Sequence, residues 1–238
     1  MMVRAQARKF QTWLFGIGLA AGMAVAAPAW TAPMSFNLAG VNDANLTANA
    51  LFSYTPTTGT VDIGITNTSA LAAGPDPRLT SFAFNAPSGV TGISAFSAPS
   101  GWSSIFSSNS VNTPGQFGFF DIAGLTGPNF SGGSPNSGIS RNSTFNFQFV
   151  LSGSGLLGLT ESSFLNVTSF DPPGNPNEAE QFFIGRFQRT GLGGQGSDVA
   201  IPTGPPNPVP EPASLMLLAT GMAGLAAWRR MKFNGIQS

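Results

Sequence analysis

The sequence contains no cysteine and no histidine, and its two lysines, Lys9 and Lys232, lie close to its ends. Each absence excludes a class of chemistry. Without His or Cys there is no Ser-His-Asp triad, no thiol nucleophile and no zinc site built from the usual nitrogen and sulfur ligands. Without lysine between residues 30 and 208 there is no Ser-Lys dyad and no Schiff base in that stretch. Charge is scarce as well, at 8% of 238 residues with zero net charge. Residues 30–208 hold four arginines against nine acidic residues, a net of −5. A nucleic-acid surface needs a basic patch, and none can be assembled from that inventory. No disulfide can staple the chain, so any fold must rest on its own apolar core, which a segment of this length can supply.

Carboxylate chemistry survives these exclusions, as a glycosidase pair or as calcium binding through oxygen ligands. The densest acidic stretch is "DPPGNPNEAEQFF", with Asp171, Glu178 and Glu180 and the added oxygens of Asn175 and Asn177. A solvated loop and strand edge accounts for it without a functional role. "GLGGQG" satisfies G-x-G-x-x-G through Gly191, Gly193 and Gly196, but the following "SDVAIPTGPPNP" cannot open the helix that a dinucleotide site requires. The reading is therefore a chain with no catalytic residue, no cofactor and no metal site. Five Asn-x-Ser/Thr sequons, at Asn45, Asn67, Asn129, Asn142 and Asn166, are read as a consequence of a composition rich in Asn, Ser and Thr.

The chain does have two apolar, charge-flanked ends. Arg4, Arg8 and Lys9 precede the apolar run Trp13 to Val25, and small residues follow in "AVAAPAWTA". That order predicts a secretory signal peptide over 1–29, with cleavage after Ala26 or Ala29 and the latter favoured. At the other end Ala213 to Trp228 is uncharged and apolar on all faces, which predicts a transmembrane helix. Sixteen residues span roughly 24 Å as a helix, short of the roughly 30 Å hydrocarbon core, a gap that snorkelling and local thinning can close. Arg229, Arg230 and Lys232 form the stop that stays inside, so everything between the two ends lies outside the inner membrane. Residues 233–238 make a cytoplasmic tail.

Between the ends, period-two alternation recurs. "TVDIGIT" sets Val61, Ile63 and Ile65 opposite Asp62 and Gly64; "TSFAFNA" does so with Phe82 and Phe84, and "TFNFQFV" with Phe145, Phe147 and Phe149. Such alternation predicts half-buried strands. "ALFSY", "GVTGISAF", "QFGFFDI", "SFLNVTSF" and "QFFIGRFQ" are further candidates between clusters of turn residues. The expected architecture is all-β, an antiparallel sandwich or barrel over residues 30–190 with no internal helix, and of the two the β-sandwich is preferred. Gly124 to Ser143 reads as a long mobile loop, and 191–208 as a Gly/Pro-rich linker to the membrane helix. Trp102 and Phe106 could present an exposed stacking platform for a glycan.

The residues Val209-Pro210-Glu211-Pro212-Ala213-Ser214, the apolar run Leu215 to Ala227 and the basic Trp228-Arg229-Arg230-Met231-Lys232 together resemble the PEP-CTERM sorting signal of Gram-negative bacteria. On this reading the signal covers 209–232. The tail "FNGIQS" after Lys232 departs from the pattern, since such signals commonly end soon after the basic cluster. The resemblance implies that an exosortase recognises Val209, Pro210, Glu211 and Pro212 and processes the chain there. The inner membrane would then be a transient anchor and signal peptidase a second processing enzyme. Delivery to the cell surface or an exopolysaccharide matrix is also implied, with no enzymatic activity of the body. Two alternatives for the body remain open: a carbohydrate-binding or adhesion module and, less favoured, a glycosidase using Glu178 or Glu180.

Overall fold

The computed structural model describes residues 32–113, 117–170, 180–209 and 221–222. Strands dominate, and in chain order they are β1 (Met34–Gly40), β2 (Thr47–Thr55), β3 (Thr60–Asn67), β4 (Arg78–Phe84), β5 (Val90–Ser97), β6 (Ser103–Asn112), β7 (Phe119–Leu125), β8 (Thr144–Gly153), β9 (Phe183–Thr190), β10 (Gly196–Pro202) and β11 (Asn207–Pro208). Among the described residues short 3-10 turns and one short α-helix, α1 (Glu161–Leu165), interrupt them.

The alternating segments become strands as expected. β3 buries Val61, Ile63 and Ile65 while Asp62 and Gly64 face outward, and β8 buries Phe147, Phe149 and Leu151 between exposed Asn146 and Gln148. All neighbours pair antiparallel in the order β5-β8-β3-β2-β1-β10-β9-β4-β7-β6, with β11 also on β1. The expected sandwich is therefore corrected. β1 hydrogen-bonds to β2 on one side and to β10 on the other, so both halves belong to one continuous sheet. That sheet curls into a nearly closed barrel. Its terminal strands β5 and β6 face each other across an unpaired seam lined by Gly92, Ile93, Ser94, Phe96, Ser104 and Phe106.

A phenylalanine cluster fills the interior. Phe82 on β4 meets Phe147 and Phe149 on β8 at ring separations of 4.7 and 6.1 Å, stacks on Phe183 of β9 at 5.7 Å, and Phe52 of β2 meets Phe84 at 5.8 Å. Edge-to-face contacts of this kind add to the burial of each ring. Gly124 makes room for them, since a Cβ there would lie 2.6 Å from the Phe82 ring.

Three further expectations fail for identifiable reasons. The segment 191–208 is not a linker, because Gly196–Pro202 is the strand that joins β1 to β9, with Val199 and Ala200 buried. The loop after β7 is packed rather than a free excursion. Phe130 and Ile139 are buried, Ile139 bridges to Leu79, and the Ser81 hydroxyl donates to the Phe130 carbonyl at 2.8 Å. That loop covers the outer face of β4 and β7, where Ala83, Phe120, Ala123, Phe130 and Ile184 form a second apolar cluster. "SFLNVTSF" supplies no strand. Its start is α1, where the Thr160 hydroxyl and Ser163 form a reciprocal capping box. α1 plugs one pole of the barrel. Glu161 accepts the Tyr54 N–H at 2.9 Å, the Tyr54 hydroxyl donates to the Leu156 carbonyl at 2.8 Å, and Phe164 packs on Phe52 and Tyr54 at 5.6 and 5.1 Å.

Candidate functional site

Local sequence decides how the barrel ends. β10 runs along β1 with Leu38 opposite Pro202, and after the turn at 203–206 β11 resumes the same edge with Asn207 opposite Ser35 and Pro208 opposite Met34. The N–H of Val209 then donates to the Pro33 carbonyl at 2.7 Å. Pro208 has no N–H to give, and it sits where the bonding groups belong to the residues on either side. The chain therefore leaves the barrel at Val209, beside the residue that leads into β1.

β10 reaches this edge with the help of one buried carboxylate. Asp198 accepts the N–H groups of Asn42, Asp43 and Val199 at 2.9, 2.9 and 2.8 Å and the Asn42 side-chain amide at 2.8 Å. Those bonds fasten β10 to the β1–β2 turn at the pole opposite Val209.

Of the expected sorting residues, Val209 is in place at the barrel edge, while Pro210, Glu211, Pro212, Arg229, Arg230 and Lys232 lie outside the described residues. So do the signal peptide and, apart from Gly221 and Met222, the expected membrane helix. Among the described residues no helix is long and apolar enough to cross a membrane. Residues 208–230 match the sequence model of the PEP-CTERM protein-sorting motif. The chain carries a PEP-CTERM sorting motif. Within the matched span fall Val209, Pro210, Glu211, Pro212, Arg229 and Arg230, while Lys232 stands beyond its end. The motif implies an exported protein that an exosortase sorts to the surface. Neither curated proteins nor solved structures offer a match to the chain.

The other candidate residues separate into different places. Trp102 and Phe106 do not form an exposed platform. Both are half-buried against the main core; the Trp102 ring lies 4.7 Å from Phe147 and its Nε1–H donates to the Ser137 carbonyl at 2.8 Å. Its indole serves packing because the β5–β6 corner closes over that end of the cluster. The Glu180 carboxylate accepts the Thr168 hydroxyl at 2.6 Å, and Asp171, Asn175, Asn177 and Glu178 lie outside the described residues. Asn67, one of the five sequons, is fully buried and donates its amide to the Pro77 and Ile139 carbonyls at 2.9 Å each, so it is a structural residue.

Two surface features were not legible in the sequence. Asp76 bonds Arg78 at 2.8 Å and Arg189 at 3.1 Å, and Arg189 also reaches Asn136 at 2.6 Å. The Arg78 hydrogen bond, with a further contribution from Arg189, holds the Asp76 carboxyl below its ordinary range against partial desolvation. On the outer face of β2, β3 and β8, Gly64 stands between Leu51 and Asn146 and leaves a shallow groove of about 360 Å³ bordered by Ser53, Asp62, Ser97 and Gln148. Gln148 donates to one Asp62 oxygen at 2.9 Å.

Proposed function

We propose that this is a non-catalytic protein of the cell surface or exopolysaccharide matrix, exported with a signal peptide and processed by an exosortase near Pro210-Glu211-Pro212. The match of residues 208–230 to the sorting motif carries this reading. A body without His, Cys or Lys and with a close-packed phenylalanine interior supports a structural role. The membrane helix over 213–228 holds the precursor, and Arg229, Arg230 and Lys232 stop its transfer. Changing Glu211 to Ala in the full chain tests the assignment through the mature protein's mass and its cell fraction. Loss of processing and retention in the membrane are expected; unchanged mass and delivery would remove Pro-Glu-Pro as the recognition element.

A second reading, a carbohydrate-binding module, draws on the groove over Gly64. Its border of hydroxyls, amides and one carboxylate beside apolar Leu51 suits an uncharged sugar, which needs donors, acceptors and an apolar patch. Binding on a glycan array that Asp62→Ala abolishes would establish it, and an array without signal would leave the structural role.

A further inference from the structure

The outward side chains around Gly64 stand in rows that cross the strands. Strand register sets Asn37, Asn49, Thr66 and Thr144 side by side on β1, β2, β3 and β8. Ser53, Asp62, Gln148 and Ser97 form a second row on β2, β3, β8 and β5. Midway between them run Leu51, Gly64 and Asn146. At about 3.3 Å per residue the outer rows stand about 13 Å apart, and with strands about 4.8 Å apart each row is about 14 Å long. Gly64 has no side chain, so the middle row dips where the groove lies. The groove is thus the low point of a trough that runs across the sheet from β2 to β8.

Hydrogen bonds between strands brace both sides of this trough. The Asn49 Nδ2 donates to the Asn37 Oδ1 at 3.1 Å, the Thr66 and Thr144 hydroxyls share a bond at 2.7 Å, and the Gln148 Nε2 donates to the Asp62 Oδ1 at 2.9 Å. Amides, hydroxyls and carboxylates offer more sites than one such bond uses. All six residues are exposed or half-buried, so the remaining sites face the solvent over the trough. A sugar hydroxyl both donates and accepts, so two rows of mixed donors and acceptors match the two edges of a chain of sugar rings. Leu51, which is exposed, offers the rings an apolar contact. Asp62 is the only charge in the three rows, and a carboxylate there opposes an acidic polymer.

We propose that this trough binds an internal stretch of a linear, uncharged polysaccharide laid across β2, β3 and β8, with Leu51 and Gly64 beneath the rings and the two braced rows along their edges. The inference rests on the carbohydrate-binding reading of the same groove and adds the ligand's length, direction and charge. Gly64 is the position that separates binding from folding. Its backbone is not left-handed, and a Cβ there would meet the Asn146 Oδ1 at 3.1 Å and the Leu51 Cβ at 3.9 Å, with no backbone atom in the way. Gly64→Val therefore fills the floor of the trough with a residue that favours strands.

Calorimetric titration of the full-length chain in a sugar-free detergent tests the proposal, with glucose, mannose, cellotetraose, mannotetraose and tetragalacturonate as probes. A neutral tetrasaccharide should bind about tenfold or more tighter than its monosaccharide, because it reaches further along both rows, and by a similar factor tighter than tetragalacturonate. Gly64→Val should weaken that binding about tenfold or more while the melting temperature does not fall. Thr66→Val removes a hydroxyl from the row away from Asp62 and should weaken it about threefold or more; if Gly64→Val lowers stability, this variant alone decides. Equal affinity for monosaccharide and tetrasaccharide, tighter binding of tetragalacturonate, or indifference to the deciding substitution would overturn the trough and leave only a local sugar site at Asp62. A chain that takes up none of the five probes would remove the carbohydrate reading itself, and the trough with it.

Discussion

Phe147→Ala is the most demanding test of the barrel interior. Phe147 is 1% exposed on β8, and its ring touches Phe82 and Trp102 at 4.7 Å each, both edge-to-face. Truncation removes the transfer free energy of the ring and leaves a cavity, together about 3–5 kcal/mol. The two ring pairs add about 0.5–1.5 kcal/mol each where they persist to the native state, which places the loss toward the upper end, about 4–5 kcal/mol. The neighbours cannot collapse easily into the gap, because Phe82 is held by Phe183 on one side and by the bare backbone of Gly124 on the other. Urea titration of the processed body, residues 30–209, should show the midpoint falling with the m-value unchanged. For a domain of this size the same loss lowers the melting temperature by about 8–20 °C. Phe147→Leu should cost less than the alanine change because it retains much of the side-chain volume. A loss under about 2 kcal/mol for Phe147→Ala, at constant m, would refute the claim that this ring is locked in a single interior shared by β4 and β8.

Ending the body after Thr190 removes β10 and leaves β1 and β9 with unpaired edges; such a chain should show no cooperative unfolding, whereas a body ending at Val209 should. A folded, two-state product ending at Thr190 would restore the linker reading of 191–208. Asp76→Asn tests the surface network. Because the folded carboxyl lies below its unfolded value near 3.9, its contribution is present above about pH 4 and is lost as pH falls through the lowered folded value. Asp76, Arg78 and Arg189 are all partly open to solvent, which screens them, so the effect should stay under about 1 kcal/mol. Melting temperatures of wild type and variant should differ at pH 7 and converge toward pH 3; a constant difference across that range would show that the carboxylate's charge is not the cause.

Legibility followed burial. β3 and β8 are wet on one side and dry on the other, so their alternation could be read directly, down to which residues face the core. β4 was recognised by Phe82 and Phe84, but not that its outer face is also covered. That follows from Phe130, which a loop folds back over it from about fifty positions away. β10 was missed because its buried centre, Asp198 to Ala200, is covered on both faces and shows no alternation, and because Asp198 looks like a surface charge until the turn at Asn42 and Asp43 supplies its donors. The sorting motif was legible for the opposite reason. It is a linear signal of proline, apolar length and basic stop, each readable without any partner in space.

Alternation, apolar length and charge order are local properties, so the all-β class and the sorting motif could be read along the chain. That the sheet is one near-barrel rather than two layers, and that the body runs to Val209 and not to Thr190, became visible in the folded molecule. Both depend on β10 finding β1 across more than 150 residues of chain, with Leu38 opposite Pro202. Such pairing is specified by the surfaces two distant strands bury together, and no window along the chain contains both.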